Sequence, residues 1–139
     1  MSFDTVSVIG LGYIGLPTAA AFAAAGKRVI GVDVTASVVD TINRGEIHIV
    51  EPALDVAVRA AVDGGLLRAS TTPEHADAYL IAVPTPFKGD HQPDLAYIES
   101  AAKALAPVLQ KATWWCWNRP RRSAPPNSWR SGWPMRARI

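Results

Sequence analysis

Residues 6–33 read VSVIGLGYIGLPTAAAFAAAGKRVIGVD, and this stretch decides the fold. Its first part, Val6–Gly10, is apolar and rich in β-branched residues, which predicts a buried strand. The Ala-rich segment Gly15–Ala25 predicts a helix that ends before Gly26. A second β-branched run, Arg28–Val32, predicts another strand. Strand, helix and strand in this order predict two parallel strands joined by a helical crossover.

Three glycines in this stretch form the pattern G-x-G-x-x-G between the first strand and the helix. Gly10 permits a tight turn, Gly12 lets a pyrophosphate approach the backbone, and Gly15 lets the helix pack closely on the strand. The amides of Tyr13 and Ile14 open the helix and are expected to bind the phosphates. The alternative is a glycine turn in a fold that binds no nucleotide. The surrounding strand and helix favour a dinucleotide-binding turn.

An acidic residue completes the pattern. Asp33 ends the second strand, 21 residues after Gly12. A carboxylate there accepts hydrogen bonds from the adenosine ribose and repels the extra phosphate of NADP. Residues 34–36 contain no arginine, and Lys27 and Arg28 lie at the opposite end of that strand. The sequence therefore predicts NAD as the cofactor.

The rest of residues 1–111 alternates helical and strand patterns. Because alternating strands and helices form parallel sheets covered on both faces, we predict an α/β fold with a Rossmann-like, doubly wound parallel sheet. Residues 84–94 are rich in Pro and Gly and predict an irregular loop. The last helix is expected to turn Ile98, Ala102, Leu105 and Leu109 toward the core. The further elements are helices at Ser37–Arg44, Pro52–Val62 and Leu95–Leu109, and strands at Leu67–Ser70 and Ala78–Val83.

A second loop is a candidate for cofactor contact. Val83-Pro84-Thr85-Pro86 leaves the end of a predicted parallel strand, where ligands of doubly wound sheets bind. The hydroxyl of Thr85 is small enough to contact a cofactor there. The loop chemistry fits a merely rigid turn equally well, because two prolines restrict its backbone.

Composition limits the class of protein. Cys116 is the single cysteine, so no internal disulfide can form. The N-terminus resembles no secretory signal, and no apolar run reaches membrane-spanning length, so we predict a cytoplasmic protein without a membrane partner. His48, His75 and His91 lack metal-ligand spacing, so no metal site is expected.

Several motifs resemble those of the UDP-sugar 6-dehydrogenases. They are IGLGYIGLPTAAAFA, GVD, INRGEIHIVEP, GGLLRASTTP, AVPTPFKGDHQPD and YIESAAK, and they cover essentially all of residues 1–111. The likeness is strongest to members that oxidise UDP-N-acetyl-D-mannosamine in bacterial surface-polysaccharide synthesis. The resemblance implies an N-terminal NAD domain, a helical middle and a C-terminal UDP-binding domain, in a homo-oligomer. It also implies oxidation of a sugar C6 alcohol to a carboxylate, with Tyr13, Ile14, Asp33 and Thr85 contacting NAD.

The chain departs from this family in its catalytic residues. The family uses a cysteine nucleophile in a Gly-rich motif, a lysine and a UDP-binding domain, and the 139 residues contain none of these motifs. Cys116 lies in TWWCWN and is not assigned that role. We therefore predict no catalytic residue in this chain and no activity of the chain alone. UDP-glucose and UDP-N-acetylglucosamine remain alternative substrates of the longer enzyme, and a non-catalytic NAD-binding module is a further alternative.

Residues 112–139 have a different composition. They hold six arginines, all five tryptophans and no acidic residue, whereas residues 1–111 hold all 12 acidic and 8 of the 14 basic residues. Trp, Arg and Pro do not suit a sheet strand buried on both faces, so we predict a sheet truncated after its fourth strand and the following helix, and an irregular tail. A basic, aromatic tail that binds nucleic acid is the alternative, but we expect no nucleic-acid partner.

A lost base explains the tail better. We shift the reading frame so that it starts at the last base of the Thr113 codon. The codons for residues 113–118 then encode Leu, Met or Val, followed by Val-Val-Leu-Glu, whichever synonymous codons the gene uses. Permitted codons continue as STSPVGATEQLAEWLADA, which is the continuation that the family resemblance implies. The sequence therefore predicts an NAD domain over residues 1–111 and an out-of-frame tail over residues 112–139.

Overall fold

The computed structural model describes residues 3–89, 92–109 and 114–117. These residues form a five-stranded parallel sheet, a small antiparallel hairpin and four helices. In chain order the elements are β1 Thr5–Ile9, α1 Gly15–Ala24, β2 Arg28–Val32, α2 Ala36–Asn43, α3 Leu54–Asp63, β3 Leu67–Ser70, β4 Ala78–Ile81, β5 Phe87–Lys88, β6 Gln92–Pro93, α4 Ala96–Leu105 and β7 Trp114–Trp117.

The strand order places β1 in the middle of the sheet. The order is β3-β2-β1-β4-β7, and every neighbouring pair is parallel. Ile9, the last residue of β1, lies opposite Val32 of β2 and Ile81 of β4. The carboxyl ends of three adjacent strands therefore meet at one edge of the sheet, which is where doubly wound folds bind their ligands.

Both faces of the sheet are covered, as the predicted fold class requires. Val6 and Val8 of β1 belong to a core that includes residues of α1, α2 and α3. Ile9 belongs to a second core that includes Ala101 and Leu105 of α4. Successive strand residues point to opposite faces, so the two cores lie on opposite sides of one sheet. The α/β, doubly wound prediction is confirmed.

The predicted truncation of the sheet after four strands is wrong. β7 pairs in parallel with β4, with Ala78 opposite Trp114 and Ile81 opposite Trp117. The prediction counted Trp, Arg and Pro against a strand, but aromatic residues favour extended backbone, and the Arg and Pro residues all follow Trp117. Residues 118–139 lie outside the described residues.

The predicted irregular loop is also partly wrong. Within residues 84–94, β5 and β6 pair as a short antiparallel hairpin. Gly89 follows β5 with a positive φ of 48°, a conformation that glycine adopts without strain and that hairpin turns often need.

Two helix boundaries differ from the prediction by two residues or more, each for a local reason. The third helix is predicted to begin at Pro52, but α3 begins at Leu54. The residue before it, Ala53, has a left-handed φ of 62°. The expected apolar face of α4 is shorter, because the helix ends at Leu105, before Pro107. Leu109 is consequently 39% exposed. Within the described ranges, no helix is both long and apolar enough to cross a membrane.

Candidate dinucleotide-binding site

The turn between β1 and α1 needs glycine at two positions for different physical reasons. Gly10 has a φ of 93°, and a Cβ atom there would lie 2.7 Å from the carbonyl oxygen of Ala82. A Cβ atom on Gly15 would overlap the carbonyl oxygen of Gly10. A Cβ atom on Gly12, by contrast, would meet nothing within 4 Å. The turn is therefore packed tightly from behind and open in front of Gly12.

The start of α1 offers free hydrogen-bond donors. Among the described residues, the backbone amides of Gly12, Tyr13 and Ile14 have no acceptor. The helix has neither a side-chain cap nor an acidic residue in its first turn. Free amides and the helix dipole make this end partially positive, which suits an anionic ligand.

Asp33 is held in place beside this turn. One carboxylate oxygen accepts a hydrogen bond from the amide of Leu11 at 3.1 Å, and the other accepts one from the amide of Thr35 at 2.9 Å. Its own amide donates to the carbonyl of Ser70 at 3.1 Å. An ionised carboxylate has about four acceptor positions, so two remain for a ligand hydroxyl pair.

These groups line one crevice of about 590 Å³ above the carboxyl ends of the strands. It brings together six of the seven residues proposed from the sequence, and Gly15 alone lies beneath it, buried. No Lys or Arg is among the described residues that line the crevice. The six are Gly10, Gly12, Tyr13, Ile14, Asp33 and Thr85.

The crevice also contains residues that sequence reasoning missed. Thr71 and Pro73 come from the segment after β3, and His48 comes from the segment after α2. Tyr97 and Ser100 come from α4. For Thr71, Pro73, Tyr97 and Ser100, the only signal in the sequence was a position after a predicted strand end or on the polar side of a predicted helix, which many surface residues share. His48 had no such signal, because it follows a predicted helix.

The wall formed by Thr71 and Pro73 is flanked by an exposed ion pair. Arg68 donates two hydrogen bonds to Glu74, both at 2.6 Å. The Arg68 guanidinium lowers the pKa of Glu74, and the Glu74 carboxylate raises the pKa of Arg68. The two residues flank the wall segment, but their side chains are 54% and 42% exposed, so the pair adds little to stability.

A buried tyrosine connects this wall to α4. The hydroxyl of Tyr79 accepts a hydrogen bond from the amide of Ala76 at 2.9 Å. Its single proton is shared between two acceptors, the carbonyl oxygen of Glu74 at 2.9 Å and that of Val108 at 3.2 Å. Burial raises the pKa of the Tyr79 hydroxyl, so it remains protonated as the donor. Tyr79 thus connects the segment after β3 with the segment that follows α4.

The donor set of the crevice fits a dinucleotide. Free amides suit a diphosphate, a fixed carboxylate suits a ribose diol, and apolar walls suit flat rings. In the described part of the chain, no group of three His, Cys, Asp or Glu side chains is arranged to hold a metal. His91 lies outside the described residues.

This combination of fold and site defines the NAD-binding domain of a dehydrogenase. The chain belongs to the UDP-glucose/GDP-mannose dehydrogenase family, since the family's NAD-binding domain matches residues 4–114. NAD is therefore the cofactor of this domain, as the sequence predicted.

The relatives extend the comparison beyond the family. The chain is 75% identical over 111 residues to UDP-N-acetyl-D-mannosamine dehydrogenase of Salmonella typhi, and 64% identical over 111 residues to NDP-N-acetyl-D-galactosaminuronic acid dehydrogenase of Ralstonia nicotianae. Each match covers 80% of this chain and 26% of the relative. The solved structure of the UDP-N-acetyl-mannosamine dehydrogenase Cap5O from Staphylococcus aureus is similar with a TM-score of 0.79 and 38% identity, over 81% of this chain and 28% of that one. The chain thus spans about a quarter of the length of the relatives it matches.

Proposed function

We propose that this chain is the cofactor-binding part of an NAD-dependent UDP-sugar 6-dehydrogenase, and that the longer enzyme oxidises UDP-N-acetyl-D-mannosamine to UDP-N-acetyl-D-mannosaminuronate. The observation that carries the proposal is the group of free amides at Gly12, Tyr13 and Ile14, which faces open space beside the fixed carboxylate of Asp33. The 75% identity to the Salmonella typhi relative supports the choice of sugar. The cytoplasmic location and the homo-oligomeric state remain parts of this proposal.

The residues of the crevice have distinct roles in the proposal. The amides of Tyr13 and Ile14 bind the pyrophosphate, and Gly12 leaves room for it to approach. Asp33 binds the adenosine ribose and repels a 2′-phosphate, and Thr85 contacts the cofactor from the loop after β4. Gly10 shapes the turn and lines the crevice, and Gly15 shapes the turn from its buried position.

The chain's own contribution is to bind and orient the cofactor. Bound NAD supplies a hydride acceptor for the oxidation of an alcohol. No residue of the chain is proposed as catalytic, and Cys116 lies within strand β7, in register with Leu80. The polypeptide of 139 residues should therefore bind NAD without oxidising a UDP-sugar.

Isothermal titration calorimetry of the 139-residue chain tests the cofactor proposal. NAD should bind at least tenfold more tightly than NADP. Asp33→Asn should weaken NAD binding by about tenfold or more, because hydrogen bonds to charged groups contribute about 1.5–3 kcal/mol. The same substitution should reduce the ratio of NAD affinity to NADP affinity, because it removes the charge that repels the 2′-phosphate.

The matched control removes the same charge from an exposed position of α2. Asp40→Asn should leave both affinities unchanged. If the folded chain gives no binding heat with NAD, the proposal is wrong. Production of NADH by this chain from NAD and UDP-N-acetyl-D-mannosamine would contradict the proposed inactivity.

A different sugar is the second candidate for the longer enzyme. The Ralstonia nicotianae relative is 64% identical over the same length, and its name refers to N-acetyl-D-galactosaminuronic acid. Cofactor domains of this similarity therefore occur in proteins named for different sugars. Assays of the longer enzyme with UDP-N-acetyl-D-mannosamine, UDP-N-acetylglucosamine and UDP-glucose would decide between the candidates.

We further propose that residues 112–139 are read out of frame after the loss of one base near codons 111–112. The family match ends at residue 114, close to this boundary, and β7 pairs with β4 where the shifted codons would encode an apolar strand. Resequencing the DNA around codon 111 tests this proposal. A confirmed reading of the present frame would leave the tail as a genuine basic segment.

A further inference from the structure

Gly31 lies inside β2 at a position where the backbone does not require glycine. Its φ is not among the positive values that favour glycine. Glycine weakens a strand interior, and it is typical of places where another part of the chain approaches closely. The side chain of Leu11 approaches Gly31 in this way, since a Cβ atom on Gly31 would lie 2.8 Å and 2.9 Å from its two methyl carbons. Glycine is therefore required here for space, and Leu11 fills that space.

The Leu11 side chain has little room to move aside. It is fully buried and belongs to the core that includes residues of α1, α2 and α3. Protein interiors are closely packed, so a group that enters such a core displaces its neighbours. Leu11 is also the residue between Gly10 and Gly12 in the glycine turn. Its contact with Gly31 therefore sets the distance between this turn and β2.

The backbone of Leu11 holds the carboxylate at the end of the same strand. Its amide donates a hydrogen bond to one carboxylate oxygen of Asp33 at 3.1 Å. Gly31 and Asp33 are two residues apart, so they face the same side of the extended chain. The amide of Gly10 donates to the carbonyl of Val32 at 2.7 Å and joins the turn to β2 a second time. The residue that packs on Gly31 is thus also the one that hydrogen-bonds Asp33.

Resting on the proposed function, we infer that Leu11 and Gly31 form a positioning pair for Asp33 and thereby determine the preference for NAD over NADP. Gly31 does not line the crevice, and the Leu11 side chain is fully buried, so the pair acts through the carboxylate. While Leu11 rests on Gly31, its amide occupies one acceptor position of Asp33 and leaves others for the ligand. A displaced Leu11 would move this amide, and the carboxylate would turn away from the ribose diol and the site of a 2′-phosphate.

Calorimetric titration of the 139-residue chain with NAD and NADP tests the inference. Gly31→Ala should weaken NAD binding about fivefold or more, because hydrogen bonds of a charged group weaken steeply when their geometry changes. NADP binding should weaken less, so the ratio of NAD affinity to NADP affinity should fall. Adding Leu11→Ala to Gly31→Ala returns the space between turn and strand, and this double variant should recover most of the ratio.

A second background shows whether the pair acts through the carboxylate. In an Asp33→Asn chain, Gly31→Ala should leave the affinity ratio unchanged, because the charge that distinguishes the two cofactors is already absent.

The matched control is Val29→Ala, which shortens a buried side chain of the same strand and the same core. It should lower the urea midpoint of unfolding but leave the affinity ratio at the wild-type value. A general loss of core packing would therefore not reproduce the effect expected for Gly31→Ala.

The other outcomes also decide the inference. Equal losses of NAD and NADP affinity in Gly31→Ala, or no loss, would overturn it, and so would the same fall of the ratio in the Asp33→Asn background. If circular dichroism shows that Gly31→Ala does not fold, Leu11→Val carries the test, because its shorter side chain loses the contact with Gly31 and should lower the ratio. If the folded wild-type chain does not bind NAD, the proposed function itself fails.

Discussion

Gly12 and Gly15 lie three residues apart in one turn, but a methyl group at the two positions would meet opposite surroundings. At Gly15 it would overlap the backbone carbonyl of Gly10, which cannot move aside without displacing β1 from α1. At Gly12 it would project into open space where the ligand is proposed to lie. The two substitutions therefore separate a glycine required for packing from a glycine required for binding.

We expect Gly15→Ala to lower the free energy of unfolding by about 1–3 kcal/mol or more, as overpacked sites do. Gly12→Ala should leave the unfolding free energy nearly unchanged and weaken NAD binding at least tenfold, because the methyl group stands where the pyrophosphate must approach. Urea unfolding and calorimetric titration measure the two effects. Equal losses of stability in the two variants would contradict this division of roles.

At the scale of single elements, Asn43 closes the open edge of the sheet. Its side-chain amide donates to the carbonyl of Ala69 at 3.0 Å and accepts from the amide of Ala69 at 2.7 Å. β3 is the outer strand on that side, so Ala69 would otherwise present unpaired backbone groups at an edge. The last residue of α2 thus replaces a neighbouring strand for one residue.

Asn43→Ala should lower the free energy of unfolding by about 1–2 kcal/mol, because two partly buried backbone groups lose their partner. It should also increase aggregation, since the freed edge can pair with another chain. Thermal unfolding and light scattering measure these changes. Asp40→Ala, an exposed substitution in the same helix, is the control, and an equal effect there would show that helix composition rather than edge closure is responsible.

Asp77 joins the starts of two neighbouring strands. Asp77 immediately precedes β4, and Asp4 and Thr5 lie at the start of β1. The Asp77 carboxylate accepts hydrogen bonds from the amide of Thr5 at 2.9 Å and from the amide of Asp4 at 3.0 Å. These hydrogen bonds, Thr5 first, lower the pKa of Asp77, and nearby His75 and Arg28 act in the same direction. A lowered folded-state pKa means that the unfolded chain binds the proton more tightly.

The stabilisation by Asp77 should therefore be present above its unfolded pKa and be lost as the pH falls through the lower folded-state pKa. We expect Asp77→Asn to be less stable than the wild type near pH 7, and the difference should shrink from about pH 4 downward. Urea unfolding across this pH range measures the difference. A constant difference at all pH values would mean that the carboxylate charge does not contribute.

At the scale of the whole molecule, the sequence predicts those features that depend on neighbouring residues in the chain, such as strand bounds and tight turns. β2 and β3 have the predicted bounds, because residues that stop a strand border each of them, and Gly10 has the positive φ that its turn needs. The contribution of Tyr97 and Ser100 to the crevice could not be predicted in the same way. It depends on how α4 packs against strands far from it in the sequence.

The error at β7 has a related cause. The prediction treats residues 112–139 as one unit, although pairing with β4 depends only on the four residues in register, Trp114–Trp117. Extended backbone at this place is consistent with either reading frame. What distinguishes the frames is how well the side chains suit a strand that a doubly wound sheet covers on both faces, where Val, Ile and Leu predominate.

Restoring the shifted frame after Ala112 should therefore stabilise the whole domain. The replacement supplies Val-Val-Leu for the strand and removes a tail with six arginines and no acidic residue. We expect the melting temperature to rise by several degrees, since about 1 kcal/mol corresponds to about 2–8 °C in domains near this size. NAD affinity should change little, because the described residues that line the crevice all lie between Ile9 and Ala104. Scanning calorimetry and NAD titration of the two chains measure both quantities, and a restored chain that melts at or below the original temperature would count against the lost base.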